Sequence, residues 1–506
     1  MANMIKFIKD HKLAVIFFGL ICISYFLLRL PHLTLQPIFA DEAIYIRWAQ
    51  IMKAEPTLRF ISMSDGKPPL FMWMMSPLFK IFTDPLLAGR VLSVMSGFLT
   101  LLGALFLGWR FFNLSVGLWS ALLIAITPFI VFFDRLALVD SLLAAFSIWS
   151  LNLALLLIKY QRIDLAMFLG YVLGGGLLTK PPGFFSILVV PTTLVIFKWR
   201  DQLRQKKILK LFGLWIIAIG IAVVIYNILR LGPGFVTINA RNQDYVFSPL
   251  DLVGRPLDPF LPHLKDLRDW LPKLLTTPIL VAVFVGIFLA IKKMNRTILT
   301  ILLWSLVPMA IEMALLKTFT ARYILFSIPP LLVVAGWAIS QIRFKLLGLI
   351  LILPLSLYFD MRLLTNPAKA PLPNEERRGY LEDWTAGYGF KQIAGYLMDQ
   401  AKSGLVVVGT EGNFGTLPDG LQIYLDTYSH TAPKDNQVIV VGGKATISAQ
   451  LKEASREHPT FFVANESRFS RFAGADNVQL IQAFPKAIGP KLPPDSILFF
   501  KVLPAK

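Results

Sequence analysis

Two neighbouring carboxylates, Asp41 and Glu42, follow the first apolar stretch of the chain, within PIFADEAIYIRWAQ. A carboxylate held just outside a hydrocarbon layer can act as a general base, because burial raises its pKa towards neutrality. The same pair suits an ordinary helix start, where Asp caps the first turn and Glu stabilises the helix dipole. The residue types therefore leave catalysis and helix capping both open.

A third carboxylate, Asp140, lies in FFDRLALVDSLLAAF, where two apolar runs meet with almost no loop between them. Charges so close to a membrane are costly unless they are paired or functional. Asp134 and Arg135 are neighbours that can satisfy each other, whereas Asp140 has no obvious local partner. Asp140 is therefore the stronger candidate for chemistry.

Cations occur at four places where an apolar run begins or ends. They are Lys67 in SDGKPPLFMW, Arg90 in AGRVLS, Lys180 in LLTKPPG and Arg322 in TFTARYILF. Arg and Lys are suited to a phosphate group, and Arg can bind it through two parallel hydrogen bonds. For Lys67 the alternative is a long interfacial side chain that simply reaches towards water. A base beside a phosphate site is what transfer with a phosphate leaving group requires.

The elements that position these residues are membrane spans. The chain has 506 residues, of which 55% are hydrophobic and only 16% charged. Apolar stretches of about 20 residues can cross a hydrocarbon core of roughly 30 Å, and we predict about eleven of them. They lie near 13–30, 88–109, 115–133, 141–158, 164–179, 183–198, 209–230, 274–291, 298–316, 322–340 and 345–359.

The basic residues indicate orientation rather than nucleic-acid binding, because the net charge of +19 is spread over short clusters between apolar runs. The positive-inside rule places these clusters on the cytoplasmic side. They include Lys6, Lys9 and Lys12, KWRDQLRQKK, IKKMNR and QIRFK. We therefore expect a multi-pass protein of the cell (plasma or inner) membrane with a cytoplasmic N-terminus. The single cysteine, Cys22, excludes a disulfide framework and a CxxC metal site.

Two domains are predicted. Residues 1–360 form the membrane domain, with outer segments at 31–87, where amphipathic helices are expected, and at 232–273. Residues 361–506 form a soluble α/β domain on the outer side, because LVVVGT, QVIVVGG, PTFFVA, VQLIQAF and SILFFKV read as strands of a mostly parallel sheet. Polar residues of the outer segments are candidates for a substrate pocket: Asp65, Arg241, Asp244 and Tyr245.

Several motifs occur in an order that resembles glycosyltransferase family 39, a GT-C family that includes protein O-mannosyltransferases and the lipid A aminoarabinose transferase. The motifs are ADEAIYIRWAQIM, KPPLFMW, GRVLSVMSGFLTLLGALFLGWRFF, TPFIVFFDRLALVDSLLAAF, LLTKPPG and ARYILFSIPP. The resemblance covers roughly residues 10–340. It implies a polytopic α-helical GT-C fold and an enzyme that transfers a sugar from a polyprenyl monophosphate to a hydroxyl group.

The resemblance also implies roles for individual residues. Asp41 matches the catalytic carboxylate, Glu42 its companion and Asp140 a second acidic position. The positions that match the surroundings of the carrier phosphate are Lys67, Arg90, Arg135, Lys180, Arg322 and Tyr323. Relatives have an acidic residue directly before the Lys of the KPP element, whereas this chain has Asp65-Gly66-Lys67, so a metal site borrowed from the aminoarabinose transferase is unsupported. No cofactor is required by this reading.

The leading hypothesis is an inverting glycosyltransferase with a polyprenyl-phosphate-linked sugar as donor, a glycan, lipid or protein as acceptor, and Asp41 as base. Membrane lipids are expected partners and nucleic acid is not. The alternatives are a lipid-linked sugar transporter or flippase and a non-catalytic receptor for an anionic lipid. A transporter should show polar residues or broken helices near the middle of the membrane, whereas most ionisable residues here gather at one face.

Overall fold

The computed structural model describes residues 11–431, 433–469, 477–490 and 493–504, so the basic start with Lys6 and Lys9 lies outside the described residues. The chain forms two compact units. Unit 1 comprises Met1–Pro31, Arg59–Phe71 and Val91–Thr365, and unit 2 comprises His32–Leu58, Met72–Arg90 and Asn366–Lys506. The first outer segment is thus shared between the two units.

The first part of the chain is helical. Its α-helices are α1 (Lys12–Leu27), α2 (Ala40–Ala54), α3 (Leu70–Met75), α4 (Pro85–Phe111), α5 (Leu114–Ile126), α6 (Pro128–Asp134), α7 (Val139–Tyr160), α8 (Ile163–Thr179), α9 (Phe184–Val189), α10 (Arg204–Tyr226), α11 (Phe235–Tyr245), α12 (Asp251–Gly254), α13 (Phe260–Leu274), α14 (Thr277–Lys292), α15 (Arg296–Leu315), α16 (Ile328–Ser340) and α17 (Lys345–Thr365). Stretches of 3-10 helix include Ile61–Asp65, Val190–Ile196 and Ala321–Ser327.

Within the described residues, six helices are long and apolar enough to cross a membrane, or up to eight if each of two bent pairs is one span. The six are Pro85–Phe111, Val139–Tyr160, Arg204–Leu231, Arg296–Leu315, Ala321–Ser340 and Leu346–Thr365. The bent pairs are α5 with α6, at 57°, and α13 with α14, at 115°. Three of the predicted stretches are shorter apolar helices, Lys12–Leu27, Ile163–Thr179 and Pro181–Ile196. All eleven predicted stretches are therefore helical, but only six to eight of them are long enough to cross a membrane.

Proline and glycine explain where these helices end and how closely they pack. Helix α8 ends at Thr179 because a proline two residues later disfavours helical backbone in the residue before it. Glycine in the same helix lets it approach α10, since a Cβ at Gly170 would lie only 2.7 Å from the carbonyl oxygen of Ala218. Small residues at helix contacts are the usual means of close packing in membrane proteins.

Unit 2 contains a five-stranded sheet. Its elements are β1 (Ile38–Phe39), α18 (Asn374–Arg377), β2 (Ala386–Gly387), α19 (Phe390–Ala401), β3 (Val406–Glu411), α20 (Asp419–Thr431), β4 (Val438–Gly443), α21 (Ala449–Glu457), β5 (Thr460–Asn465), β6 (Val478–Pro485) and β7 (Ser496–Val502). The order is β4-β3-β5-β7-β6. All five predicted strand segments are confirmed, and the domain at this end is of α/β type.

The sheet is mixed rather than mostly parallel. Strand β3 pairs in parallel with β4 and β5, whereas β7 pairs antiparallel with both β5 and β6. Parallel neighbours need a crossover of a dozen or more residues, usually a helix. Helices α20 and α21 supply such crossovers, but the connection from β6 to β7 is only ten residues long, from 486 to 495. Strand β7 therefore returns antiparallel.

Helix α2, from the first outer segment, is an element of unit 2. Ten of its fifteen residues are buried. It packs on α20, where Arg47 Nη1 lies 2.5 Å from Asp426 Oδ1 and Gln50 Nε2 donates to the carbonyl of Ile423 at 2.8 Å. The preceding strand β1 pairs with β2. A helix covered in this way differs from the expected amphipathic helix in the membrane interface, because its hydrophobic residues are covered by protein.

Candidate active site

Asp140 and Lys180 form a partly buried ion pair in unit 1. Asp140 stands in the first turn of α7 and Lys180 directly after the end of α8, and their Oδ1 and Nζ atoms lie 2.7 Å apart. Asp140 is only 2% exposed, and its Oδ2 has no hydrogen-bond partner within the described residues. The pair therefore keeps one carboxylate oxygen available for another hydrogen-bond donor.

Tyr323 extends this pair towards Arg322, at the start of the 3-10 stretch Ala321–Ser327. The ammonium of Lys180 lies 4.3 Å from the centre of the Tyr323 ring, and the guanidinium of Arg322 lies 5.4 Å from the same ring. Cations at this distance from an aromatic face are attracted to it. Four residues predicted from three separate motifs are thus brought together.

Glu312 adds a second carboxylate that the predicted set of site residues lacked. It is 2% exposed in α15, within electrostatic range of Lys180 and Asp140. Neither of its carboxylate oxygens has a hydrogen-bond partner in the described part of the chain. The signal was visible in the sequence, since an ionisable residue inside an apolar run indicates a functional site by default.

Arg135 belongs to a second buried cluster of unit 1. Its Nη1 donates to the carbonyls of Arg29, at 2.5 Å, and Pro31, at 3.1 Å. Asp134 does not pair with its neighbour Arg135, because its Oδ2 accepts from Nε of Arg29 at 2.8 Å. Adjacent residues at a helix end point in different directions, which explains why the pairing expected from the sequence is wrong.

This second cluster is tightly packed. Asp134 also accepts from Ser141 at 2.8 Å and from Tyr25 at 3.1 Å. A Cβ at Gly97 would lie 2.1 Å from Asp134 Oδ2, so only glycine fits there. Asp360 lies within electrostatic range of Arg29, and both of its oxygens lack a hydrogen-bond partner among the described residues.

The residues of the two outer segments meet in unit 1. Arg241 in α11 lies 2.7 Å from Asp65 and 2.9 Å from Asp244. Lys67 Nζ lies 3.8 Å from the other oxygen of Asp65, and the Arg241 guanidinium lies 5.7 Å from the Tyr245 ring. All five of these predicted residues therefore form one partly exposed cluster.

Gly66, between Asp65 and Lys67, lies in a turn that requires glycine. Its φ of +70° is a left-handed conformation that favours glycine. A Cβ there would also lie 2.6 Å from Cβ of Arg241. A glycine between Asp65 and Lys67 is thus needed for α11 to approach this turn.

Glu42 and Arg90, both in unit 2, form a closed pair in which neither side chain is exposed to solvent. Arg90 donates from Nε and Nη2 to the two carboxylate oxygens, each at 2.8 Å. Its remaining hydrogens go to the carbonyls of Leu33, Gln36 and Pro37. Glu42 Oε2 also accepts from the backbone N–H of Phe39, at 2.9 Å, and so caps the helix start. All five guanidinium hydrogens of Arg90 are satisfied within the protein.

Asp41 is the second residue of α2 and is half-buried. The helix start that it occupies is held by the Glu42–Arg90 pair and by the hydrogen bond from Ala40 N–H to the carbonyl of Thr385, at 3.0 Å. The capping interpretation of the acidic pair thus applies to Glu42. It leaves Asp41 on a helix turn that the neighbouring residues fix in place.

No group of three or more His, Cys, Asp or Glu side chains in the described ranges is arranged to hold a metal ion. Glu42, Asp65 and Asp140 each pair with an arginine or a lysine.

Residues 66–226 match the family described as dolichyl-phosphate-mannose-protein mannosyltransferase. A search of curated proteins finds no match. Among solved structures, ArnT from Cupriavidus metallidurans in the apo state is similar with a TM-score of 0.56 and 15% identity over 97% of this chain and 98% of the other. ArnT bound to undecaprenyl phosphate gives 0.57 and 15% over 96% and 97%.

The archaeal oligosaccharyltransferase AglB from Archaeoglobus fulgidus, in complex with an inhibitory peptide and a dolichol-phosphate, is similar with a TM-score of 0.52 and 12% identity. The match covers 90% of this chain and 70% of AglB. Helices of membrane-spanning length together with these matches show a membrane protein. The protein has the GT-C fold of membrane glycosyltransferases, and it resembles ArnT in fold and the protein mannosyltransferases over residues 66–226.

Proposed function

We propose that the protein is a glycosyltransferase that moves a sugar from a polyprenyl monophosphate to a hydroxyl group of an acceptor. The observation that carries this proposal is the Asp140–Lys180–Tyr323 cluster. Two of its members, Asp140 and Lys180, lie in the segment that matches the mannosyltransferase family. Solved relatives in fold bind undecaprenyl phosphate or a dolichol-phosphate.

In this proposal Lys180 and Arg322 bind the phosphate of the carrier. Lys180 donates to Asp140 alone within the described residues, so the ammonium has two further hydrogens for a phosphate oxygen. Tyr323 has both cations close to its ring and helps to orient them. Lys67 and Arg241, held by Asp65, are assigned to the more exposed part of the donor.

The open oxygens of Asp140 and Glu312 are assigned to hydroxyl groups of the sugar. A buried acceptor without a donor costs free energy, and a sugar hydroxyl removes that cost. A carboxylate accepts a hydrogen bond more strongly than a neutral oxygen does. These two residues thus supply selectivity rather than proton transfer.

Asp41 is the proposed general base. The acceptor hydroxyl forms a bond to the anomeric carbon, the bond from that carbon to the phosphate oxygen breaks, and the hydroxyl proton passes to Asp41. A single displacement of this kind inverts the anomeric configuration. The developing charge on the leaving phosphate is stabilised by the cations. Glu42 and Arg90 act as positioning residues for the helix start, because their hydrogen bonds are already used within unit 2.

We further propose a cytoplasmic N-terminus and an outer location for unit 2, supported by the alternation of basic clusters and apolar runs. A transporter of lipid-linked sugars remains the alternative function, favoured by the broken helix pair α5–α6 and by ionisable residues within the spans.

The test is the variant Asp41→Asn, with Glu55→Gln as control, since Glu55 is an exposed carboxylate just after the end of the same helix. We expect the first variant to lose roughly 100- to 10,000-fold of sugar transfer from undecaprenyl-phosphate hexose and pentose donors, the usual contribution of a general base. Donor binding should persist and the control should keep wild-type turnover. Full turnover by Asp41→Asn would refute the assignment of Asp41 as the general base. Movement of intact donor across sealed vesicles without product would favour a transporter.

A further inference from the structure

Unit 2 contains a cavity of about 580 Å³ that the proposed reaction does not use. Its lining includes Gln50 and Lys53 from the second half of α2, Phe79 and Phe82 from the segment before α4, Lys391 from α19 and Tyr424 from α20. Small-molecule sites are typically clefts of roughly 300 to 1,000 Å³ with apolar walls and a few polar groups. The size and the mixed lining of this cavity fit that description.

Gln50 provides an open hydrogen-bond acceptor in this lining. The residue is 7% exposed, and its Nε2 donates to the carbonyl of Ile423 at 2.8 Å. Its Oε1 is buried without a hydrogen-bond partner within the described residues. The bond to Ile423 fixes the amide, so the open oxygen has a defined direction. A hydroxyl or amide hydrogen of a ligand would satisfy it.

The charges of the lining balance one another. Lys391 lies 2.7 Å from Asp84, and Asp426 lies 2.5 Å from Arg47 next to the cavity. Lys53 lies 5.8 Å from the centre of the Phe79 ring. Three of the four charged side chains of the lining, Lys391, Asp84 and Asp426, are thus already held in ion pairs. A lining whose charges are mostly paired favours a neutral ligand with many hydroxyl groups over an anionic lipid headgroup.

Aromatic rings complete the pattern. Phe79, Phe82 and Tyr424 line the cavity. Burial raises the pKa of the Tyr424 hydroxyl, so Tyr424 is a neutral donor and acceptor at physiological pH. Aromatic faces pack well on the CH faces of sugar rings, while amide, carboxylate and hydroxyl groups bind the hydroxyls at the ring edge. The combination is one that recognises a saccharide.

We propose that this cavity binds a neutral saccharide and serves as a subsite for the glycan part of the acceptor. Gln50 follows Asp41 by nine residues on α2, a distance of about 14 Å along the helix axis. A saccharide held here would therefore be recognised away from its reacting hydroxyl. The role of the saccharide as the acceptor rests on the proposed function, whereas saccharide binding itself does not require transfer.

The test introduces a bulky side chain at an exposed residue that lines the cavity. Thr83 is exposed, so Thr83→Trp should fold normally and occlude the cavity, and Thr83→Ala is the matched control. Binding of maltotriose, mannotriose and chitotriose to the detergent-solubilised full-length protein is measured by saturation-transfer NMR, with dihexanoyl phosphatidylglycerol as the anionic probe. We expect at least one trisaccharide to bind the wild type and the control, and to bind Thr83→Trp roughly tenfold more weakly. Gln50→Leu should weaken binding in the same direction.

Three outcomes would overturn the proposal: no trisaccharide binds the wild type, Thr83→Trp binds as well as the control, or only the anionic probe binds. Asp41→Asn should still bind the trisaccharide. The transfer assay tests the role of Asp41, and the binding assay tests the cavity. Each proposal can therefore fail without the other.

Discussion

Glu42–Arg90 in unit 2 and Asp140–Lys180 in unit 1 are both ion pairs with a buried carboxylate, yet they differ in how completely their hydrogen-bonding groups are satisfied. Arg90 places every hydrogen on a protein acceptor, including three carbonyls of residues 33–37. Lys180 donates to one oxygen of Asp140, and the other oxygen has no partner in the described part of the protein. The first pair is closed and the second is open.

The difference separates structural from functional charges. A closed pair has no donor or acceptor left for a substrate, so it can only hold the backbone around it. An open pair retains unsatisfied groups whose burial costs free energy until a ligand arrives. Of the predicted phosphate-binding residues, Arg90 therefore belongs with the structure of unit 2, and Lys180 with Tyr323 is our proposed binding site for the sugar donor.

The largest effect on stability should come from removing Arg90 from the closed Glu42–Arg90 pair. Arg90→Ala leaves Glu42 as an uncompensated buried charge, so we expect the free energy of unfolding of unit 2 to fall by about 3–5 kcal/mol. Thermal unfolding of the purified protein measures this loss, with Lys80→Ala, at an exposed position, as control. An unchanged unfolding temperature in Arg90→Ala would show that the pair is not structural.

A smaller effect, on the KM for the donor, should come from Glu312, whose carboxylate oxygens have no hydrogen-bond partner among the described residues. Glu312→Gln keeps the shape of the side chain but replaces one carboxyl oxygen with an NH2 group, so one acceptor for a sugar hydroxyl is lost. We expect the KM for the donor to rise roughly tenfold while stability is retained, because neither oxygen of Glu312 has a hydrogen-bond partner within the described residues to lose. Steady-state kinetics decides this, and an unchanged KM would remove Glu312 from the sugar site.

The smallest effect concerns Glu411 in unit 2, which also has a buried oxygen without a hydrogen-bond partner in the described ranges. Burial raises the pKa of this carboxyl above its usual 4.5, although Asn465 and Arg468 act in the opposite direction. A raised pKa in the folded state contributes stability that is present below about pH 4.5 and is lost as the pH rises through the folded pKa.

Glu411→Gln should therefore abolish this pH dependence. The difference in melting temperature, wild type minus variant, should fall as the pH rises from about 4 to 8. Sugar transfer should be unchanged, since Glu411 and its cationic neighbour Arg468, 3.9 Å away, are not among the residues assigned to the donor. A loss of transfer in this variant would break the comparison between open and closed pairs.

Much of the fold was predictable from patterns that are local in sequence. The apolar runs marked every long helix, and the β-rich runs marked all five strands of the sheet. Lys180 and Asp140 stood out because ionisable residues next to apolar runs are rare. Glu312 carried the same signal within its run.

The sequence could not show which distant residues become hydrogen-bond or ion-pair partners in the folded protein. Whether Arg90 binds phosphate depends on carbonyls that fold back to it from residues 33–37, and nothing in AGRVLS specifies them. Helix α2 is buried because Arg47 meets Asp426, a residue 379 positions further along the chain. Asp134 pairs with Arg29, which follows the end of α1, rather than with its sequence neighbour Arg135, and this too is set by tertiary packing.

The most direct test of the central claim is mass spectrometry of the lipid that co-purifies with the wild type, with Lys180→Met and with Asp41→Asn. We expect a polyprenyl monophosphate, free or carrying a sugar, on the wild type and on Asp41→Asn, and a loss of roughly 90% of it on Lys180→Met. Absence of any polyprenyl phosphate from the wild type, or an equal amount on Lys180→Met, would refute a carrier-phosphate site at Lys180.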